Sequence, residues 1–304
     1  MSSIDLQKRS GKKTMTNTLS EEAFSEDSLL EALSFLKKHE EFSLFLLGNF
    51  AEHGYKLTAA PNSGNFRLIR CRGKITAVFC LTRRGNLLVQ AETYEDPLLE
   101  LILIICQKEN LPILGLLGKW DFCQRLWDFF KKKGVILKEG FISREILYTV
   151  DLSKQKCSKN TNVRLLTEED YSHWGPLRTD YLQEEGLPND LSEKQQYELF
   201  LEKVRAKISW GYFFEEKLVS IADLNAKAFD LGQVGGVYTV PSFRKKGFAK
   251  AVIQKIMEDT KDIHKMRKLI IFTGETNTKA RALYESLHVH PVGHYALLFG
   301  SNHE

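Results

Sequence analysis

Residues 237–249 read V-Y-T-V-P-S-F-R-K-K-G-F-A, a strand-like run followed by three consecutive cations, a glycine and a small residue. Val237, Tyr238 and Val240 favour an extended strand, and Pro241 ends it because it cannot donate to a ladder. From Phe248 the apolar positions Phe248, Val252, Ile253, Ile256 and Met257 recur at helical spacing. Arg244, Lys245, Lys246, Gly247, Phe248 and Ala249 thus fall where a helix begins. There the first amides lack internal partners and the helix dipole is positive. Gly247 lets a ligand approach the backbone, Ala249 keeps the first turn uncrowded, and the cations attract negative charge. The chemistry this suits is the cradling of a pyrophosphate-like anion. A solvated basic loop ahead of a helix has the same composition, and so short a pattern does not separate the two. The segment is neither G-x-x-x-x-G-K-[ST] nor G-x-G-x-x-G, which argues against mononucleotide and dinucleotide loops.

A second stretch, N-T-K-A-R-A-L-Y-E-S-L (277–287), opens with Asn277, a natural helix N-cap. Ala280, Leu283 and Leu287 form an apolar stripe, and Tyr284 borders it with a hydroxyl that either meets a carbonyl or is free to exchange a proton. For a proton acceptor the sequence offers Asp223 in S-I-A-D-L-N and the pair Glu184 and Glu185. The strand 233–239 contains no acid, and solvated decoration is the plain reading of all three carboxylates.

The elements that position these residues come in two similar sets. Helical periodicity at 27–39 and 43–53 precedes strand-like runs at 65–71, 74–82 and 86–94, a helix at 97–108, a strand at 112–118, a helix at 120–134 and a strand at 141–152. After a polar, aperiodic stretch the order restarts: strand 162–166, a helix capped by Thr167, a helix at 192–207, two strands turning at 215–217, the strand 233–240, a helix from Phe248, a strand at 268–274, a helix at 278–287 and a terminal strand pair. The order predicts an α/β (α+β) fold occurring twice, each copy a mixed, mainly antiparallel sheet flanked by helices, with hairpins first and a crossover later. The expected divisions are a disordered tail at 1–25, an N-terminal domain at 26–152, a linker at 153–161 and a C-terminal domain at 162–304.

With these motifs in this order, residues 162–300 resemble the GNAT acyltransferase superfamily. Its pyrophosphate loop has the form [QR]-x-x-G-x-[GA] between a strand and a helix, matched by Arg244, Gly247 and Ala249. The preceding T-V-P and the downstream N-x-x-A-x-x-L-Y, with Asn277, Ala280, Leu283 and Tyr284, also fit. His288-Val289 stands where the family usually has Gly-Phe, a change at the helix stop rather than in the chemistry. The whole chain is similar to tandem-GNAT and glycine N-acyltransferase-like proteins. The resemblance implies acetyl-CoA as co-substrate, held between the strand ending near Val240 and that beginning near Leu269. Pantetheine would pair with the backbone around Tyr238, Thr239 and Val240, the pyrophosphate would meet the amides of Lys245 to Ala249, and Asn277 would lie beside the pantetheine. Tyr284 would protonate the departing thiolate, with no metal required. At the position equivalent to the cradle the N-terminal half reads A-E-T-Y-E-D-P-L-L-E, with acids in place of cations, so that copy is expected to be degenerate and to bind no coenzyme A.

Composition agrees with a globular protein: 43% apolar, 27% charged, and a net charge of +4, too mild to imply nucleic acid. Five cysteines, an odd number without C-x-x-C spacing, and no secretory signal lead to the expectation of reduced thiols in the cytoplasm. No apolar run reaches the roughly 20 residues of a membrane span. The expected activity is N-acetyl transfer to a primary amine, on a small molecule or a peptide. A non-catalytic coenzyme-A sensor or partner-binding protein is the alternative, and aminoacyl transfer from tRNA is disfavoured by the mild charge. Acceptor, acyl length and base are not legible.

Overall fold

The computed structural model describes residues 19–154, 161–287 and 289–302. Most of the expected tail, the centre of the expected linker with Cys157, and His288 lie outside the described residues. The N-terminal half comprises β1 (Leu19–Ala23), α1 (Glu26–Lys38), α2 (Glu40–His53), β2 (Gly64–Cys71), β3 (Lys74–Thr82), β4 (Asn86–Ala91), α3 (Asp96–Lys108), β5 (Gly115–Lys119), α4 (Trp120–Lys132) and β6 (Lys138–Asp151). The C-terminal half comprises β7 (Val163–Leu165), α5 (Tyr171–Glu184), α6 (Glu193–Arg205), β8 (Ser209–Phe214), β9 (Lys217–Ala228), β10 (Leu231–Thr239), α7 (Phe248–Asp262), β11 (Lys268–Gly274), α8 (Thr278–Glu285) and β12 (Pro291–Ser301). Leu19–Ala23, inside the stretch expected to be a tail, form an edge strand antiparallel to β2.

The hairpins-then-crossover order holds in both halves. β2, β3 and β4 pair antiparallel and β4 meets β5 in parallel; β8, β9 and β10 pair antiparallel and β10 meets β11 in parallel. The last strand of each half crosses over. All twelve described strands form one sheet in the order β1-β2-β3-β4-β5-β12-β6-β11-β10-β9-β8-β7. β12 pairs with β5, while β6 pairs with β11, with Asp151 opposite Lys268 and Glu145 opposite Gly274.

Helices cover both faces, which is why β3 is buried along nearly its whole length and reads as a continuous apolar run. One face packs α3 and α4 against the N-terminal strands and α7 and α8 against the C-terminal ones; the other carries α1, α2, α5 and α6. α2 spans the halves. Gly48 lets it approach β9, because a Cβ there would sit 2.9 Å from the Lys227 carbonyl oxygen. Its first turn is tied to β11 by Lys268, whose Nζ lies 2.5 Å from Glu40 and 2.6 Å from Glu41, and by Arg267, 2.8 Å from Glu40. Among the described residues no helix is long and apolar enough to cross a membrane.

Candidate active site

The site begins with a parting of strands. β10 and β11 are paired only from Leu231 opposite Lys268 to Val234 opposite Ile271. Beyond Val234, β10 bulges against β9, and Gly236 adopts φ +61°, a conformation that glycine takes without strain. The wedge that opens continues into a cleft of about 820 Å³ between the end of α5, the β10–α7 loop and α8. Of the residues singled out in the sequence, Tyr238, Thr239, Arg244, Lys245, Gly247, Phe248, Ala249, Asn277 and Tyr284 line it. Val240 and Lys246 do not. Val240 donates its N–H to Val219 of β9 at 3.0 Å, so this amide points away from the wedge, and Val237 lines the cleft instead. The Lys246 ammonium lies over the Phe243 ring, 5.0 Å from its centroid.

At the mouth, Lys245 (φ +62°) and Gly247 (φ +84°) both take the left-handed conformation, and α7 starts with no side-chain cap. Among the described residues the amides of Lys245 through Lys250 have no acceptor; Ala251 is the first to bond, to the Gly247 carbonyl at 3.0 Å. Six N–H groups uncommitted among the described residues, at the positive end of a 15-residue helix, make a concavity whose electrostatics suit an anion. Arg244 borders it but is engaged: Nε donates to Thr239 O at 2.8 Å, and the guanidinium grips Glu184 with contacts of 3.0 and 2.5 Å. That pairing holds the Glu184 carboxyl below its usual range.

On the opposite wall, Asn277 caps α8, its Oδ1 accepting from Ala280 N at 3.1 Å. Tyr284 is the buried residue of that short helix and packs edge-on to Tyr148 of β6, with ring centroids 5.7 Å apart. Among the described residues its hydroxyl has no hydrogen-bond partner. Burial, then the neighbouring Tyr181, Glu185 and Glu145, push its pKa well up, so it stays protonated. Burial and the charge of Glu185 likewise push Tyr181 up to about 12.

The structure separates the carboxylates. Asp223, considered in the sequence as a base, is committed to Lys203 Nζ at 2.7 Å and Ser209 Oγ at 2.6 Å. Glu184 is held by Arg244, and Glu185 lines the cleft unpaired among the described residues. Sequence reasoning missed Glu145, which arrives on β6 from the other half of the chain; R-E-I-L in an alternating strand gave no signal for it. Among the described residues no group of three or more His, Cys, Asp or Glu side chains is placed to hold a metal ion.

The same order of elements recurs in the two halves, and comparison with known proteins agrees with a tandem fold. Residues 169–288 match the acetyltransferase (GNAT) family model. Over those residues the C-terminal half is similar to GNAT acetyltransferases, a likeness that supports acyl transfer as the general activity. No curated protein matches the sequence. Among solved structures, a Drosophila protein is similar at TM-score 0.62 and 14% identity, over 93% of this chain and 99% of that one. A GCN5-related N-acetyltransferase from Sphaerobacter thermophilus is similar at 0.58 and 10%, over 94% and 96%. A tandem GNAT protein from the clavulanic acid biosynthesis pathway is similar at 0.53 and 9%, over 94% and 99%. At such identities the likeness is one of fold.

Proposed function

We propose that the chain is an acyl-CoA-dependent N-acyltransferase, most simply an N-acetyltransferase, acting on a primary amine by direct attack. The carrying observation is that, among the described residues, the unbonded amides of Lys245 and of Gly247 to Lys250 and the unbonded Tyr284 hydroxyl belong to residues on opposite walls of one cleft that opens from a parted strand pair. A coenzyme with a pyrophosphate at one end and a thioester at the other suits that spacing of functions. The pyrophosphate would take the amides around Gly247, and the pantetheine would run along the unpaired edge of β10 near Val237 and Thr239 as an added strand. Acetyl-CoA contributes the activated acyl group. Tyr284, kept protonated by its burial, would hand its proton to the leaving thiolate, whose ordinary range near 8.5 lies well below that of the tyrosine.

The N-terminal half would take no coenzyme. At the equivalent junction, Leu98 and Leu99 both donate to Glu95 O, and acidic Glu95 and Asp96 take the cap and first helical positions that Gly247 and Phe248 hold in the other half. Titration calorimetry with acetyl-CoA tests the reading: one site per chain is expected. No binding, or two equivalent sites, overturns it.

A further inference from the structure

The geometry points to Glu145 as the group that receives the acceptor amine's proton, a catalytic residue lent to the C-terminal site by the N-terminal half. This rests on the acyl-transfer reading above. β6 is the exchanged strand, and it sets Glu145 opposite Gly274, the last residue of β11. Continuing the β10/β11 register from Val234 opposite Ile271 by three residues would bring Val237 level with Gly274. Glu145 therefore stands level with the stretch of β10 that has peeled away, on the far side of β11 and behind the residues that line the cleft. Gly274 lies close to the carboxyl: a Cβ there would stand 3.7 Å from Ser143 Oγ and 4.0 Å from a Glu145 oxygen, ordinary contact distances.

Glu145 is 6% exposed, yet among the described residues no Lys, Arg or His pairs with it. Its one hydrogen bond comes from Ser143 Oγ, 2.5 Å away on the same strand. The buried carboxylates of the C-terminal half, by contrast, are neutralised: Asp170 by Arg164, Asp223 by Lys203. Burying a carboxylate without a cation is costly unless a ligand supplies one. The groups in electrostatic range are Glu185 and Tyr181 of α5 and Tyr284 of α8, all lining the cleft. Tyr295 of β12 lies directly opposite Glu145. The alternate residue Arg144 turns away to Glu275 at 3.3 Å and to His294, also at 3.3 Å. Burial and Glu185 together raise the Glu145 carboxyl above the usual range.

An acceptor ammonium entering here meets two unpaired carboxylates, Glu145 and Glu185. One N–H proton passes to Glu145, and the freed lone pair forms the C–N bond at the thioester carbonyl as the C–S bond breaks. The sulfur takes the Tyr284 proton. The remaining excess proton on nitrogen restores the Tyr284 hydroxyl, and Glu145 releases its proton to water, so one proton leaves per turnover.

The experiment is thiol release from acetyl-CoA with a panel of primary amines (benzylamine, tyramine, putrescine, spermidine and amino-acid amides), for wild type, Glu145→Gln and Glu185→Gln. Glu145→Gln is expected to lose at least about 100-fold in kcat/KM at neutral pH. It should recover toward high pH, where free amine needs no acceptor, and should bind acetyl-CoA as wild type does by calorimetry. Carbon-13 titration of labelled glutamate should show one carboxyl above the ordinary range that vanishes in the same variant. Glu145→Gln turning over like wild type, with the same acid limb, overturns the role of Glu145 alone. A wild type that neither binds acetyl-CoA nor releases thiol with any amine overturns the acyl-transfer reading and this inference together.

Discussion

Gly247 offers a perturbation whose components separate. It sits at φ +84° and ψ 4°, and a Cβ added there meets nothing within 4 Å. Any side chain is therefore tolerated sterically and penalised only by the left-handed backbone, about 1–2 kcal/mol. Gly247→Gln and Gly247→Glu share that penalty and differ in one charge. If two pyrophosphate charges lie about 5 Å from the new carboxylate, water-like screening gives about 0.8 kcal/mol each. The sum, about 1.7 kcal/mol, is about a 17-fold weaker acetyl-CoA affinity for Glu than for Gln, and a floor because the cleft is less polar than water. Calorimetry at about 0.05 M and about 0.5 M salt measures both the gap and its shrinkage with ionic strength. Thermal melts should show the two variants equally destabilised. Equal affinities, or a gap that salt leaves untouched, would refute an anion cradle at this turn.

Other substitutions probe the remaining parts. Tyr284→Phe should lower kcat about 100-fold or more while leaving acetyl-CoA affinity and melting temperature near wild type, because the hydroxyl has no partner among the described residues; steady-state kinetics beside calorimetry decides it. Glu184→Gln releases the Arg244 guanidinium toward the cradle, so acetyl-CoA should bind several-fold tighter, and unchanged or weaker binding would show the ion pair is no competitor. Glu40→Gln should cost about 1–2 kcal/mol in denaturant melts, less than a fully buried pair because the contact is partly solvated. Burial alone would raise the Glu40 carboxyl, but the hydrogen bonds and charges of Lys268 and Arg267 together outweigh it and lower it in the folded chain, so its contribution is present above the usual 4.5 and is lost as pH falls through the depressed folded value. The mutant's deficit should accordingly vanish in acid. A chain ending before β12 should lose cooperative unfolding in both halves, read by hydrogen exchange at β5 as well as β6.

What was legible was local. The loop at 244–247, the helix beginning at Phe248 and the Asn277 cap are set by turn chemistry and helical period within a few residues, and each lies where its sequence put it. Leu19–Ala23 carry L-S-E-E-A, too short and polar to signal a strand, and are ordered by pairing with β2. Val240 misled because a one-residue difference in register turns a backbone amide from one neighbour to the other, and the bulge between Gly235 and Tyr238 sits between the two readings. Asp223 resembled surface decoration until Lys203, on a separate helix, closed over it. Glu145 was hidden most deeply, since nothing within its own strand says that the strand belongs beside β11.

That pairing also bears on how the two halves depend on each other. A second copy joined by a tether alone could be lost with little effect on the first. Here the ladder at the edge of β11 is completed by β6, while the ladder at the edge of β5 is completed by β12. Removing either half would strip the other of a strand and expose unpaired backbone along a long, largely apolar edge. The Tyr284 ring rests on Tyr148, and Tyr148 and Glu145 reach the site on the same borrowed strand. The N-terminal half is thus held by packing that adjoins the cleft of the C-terminal half.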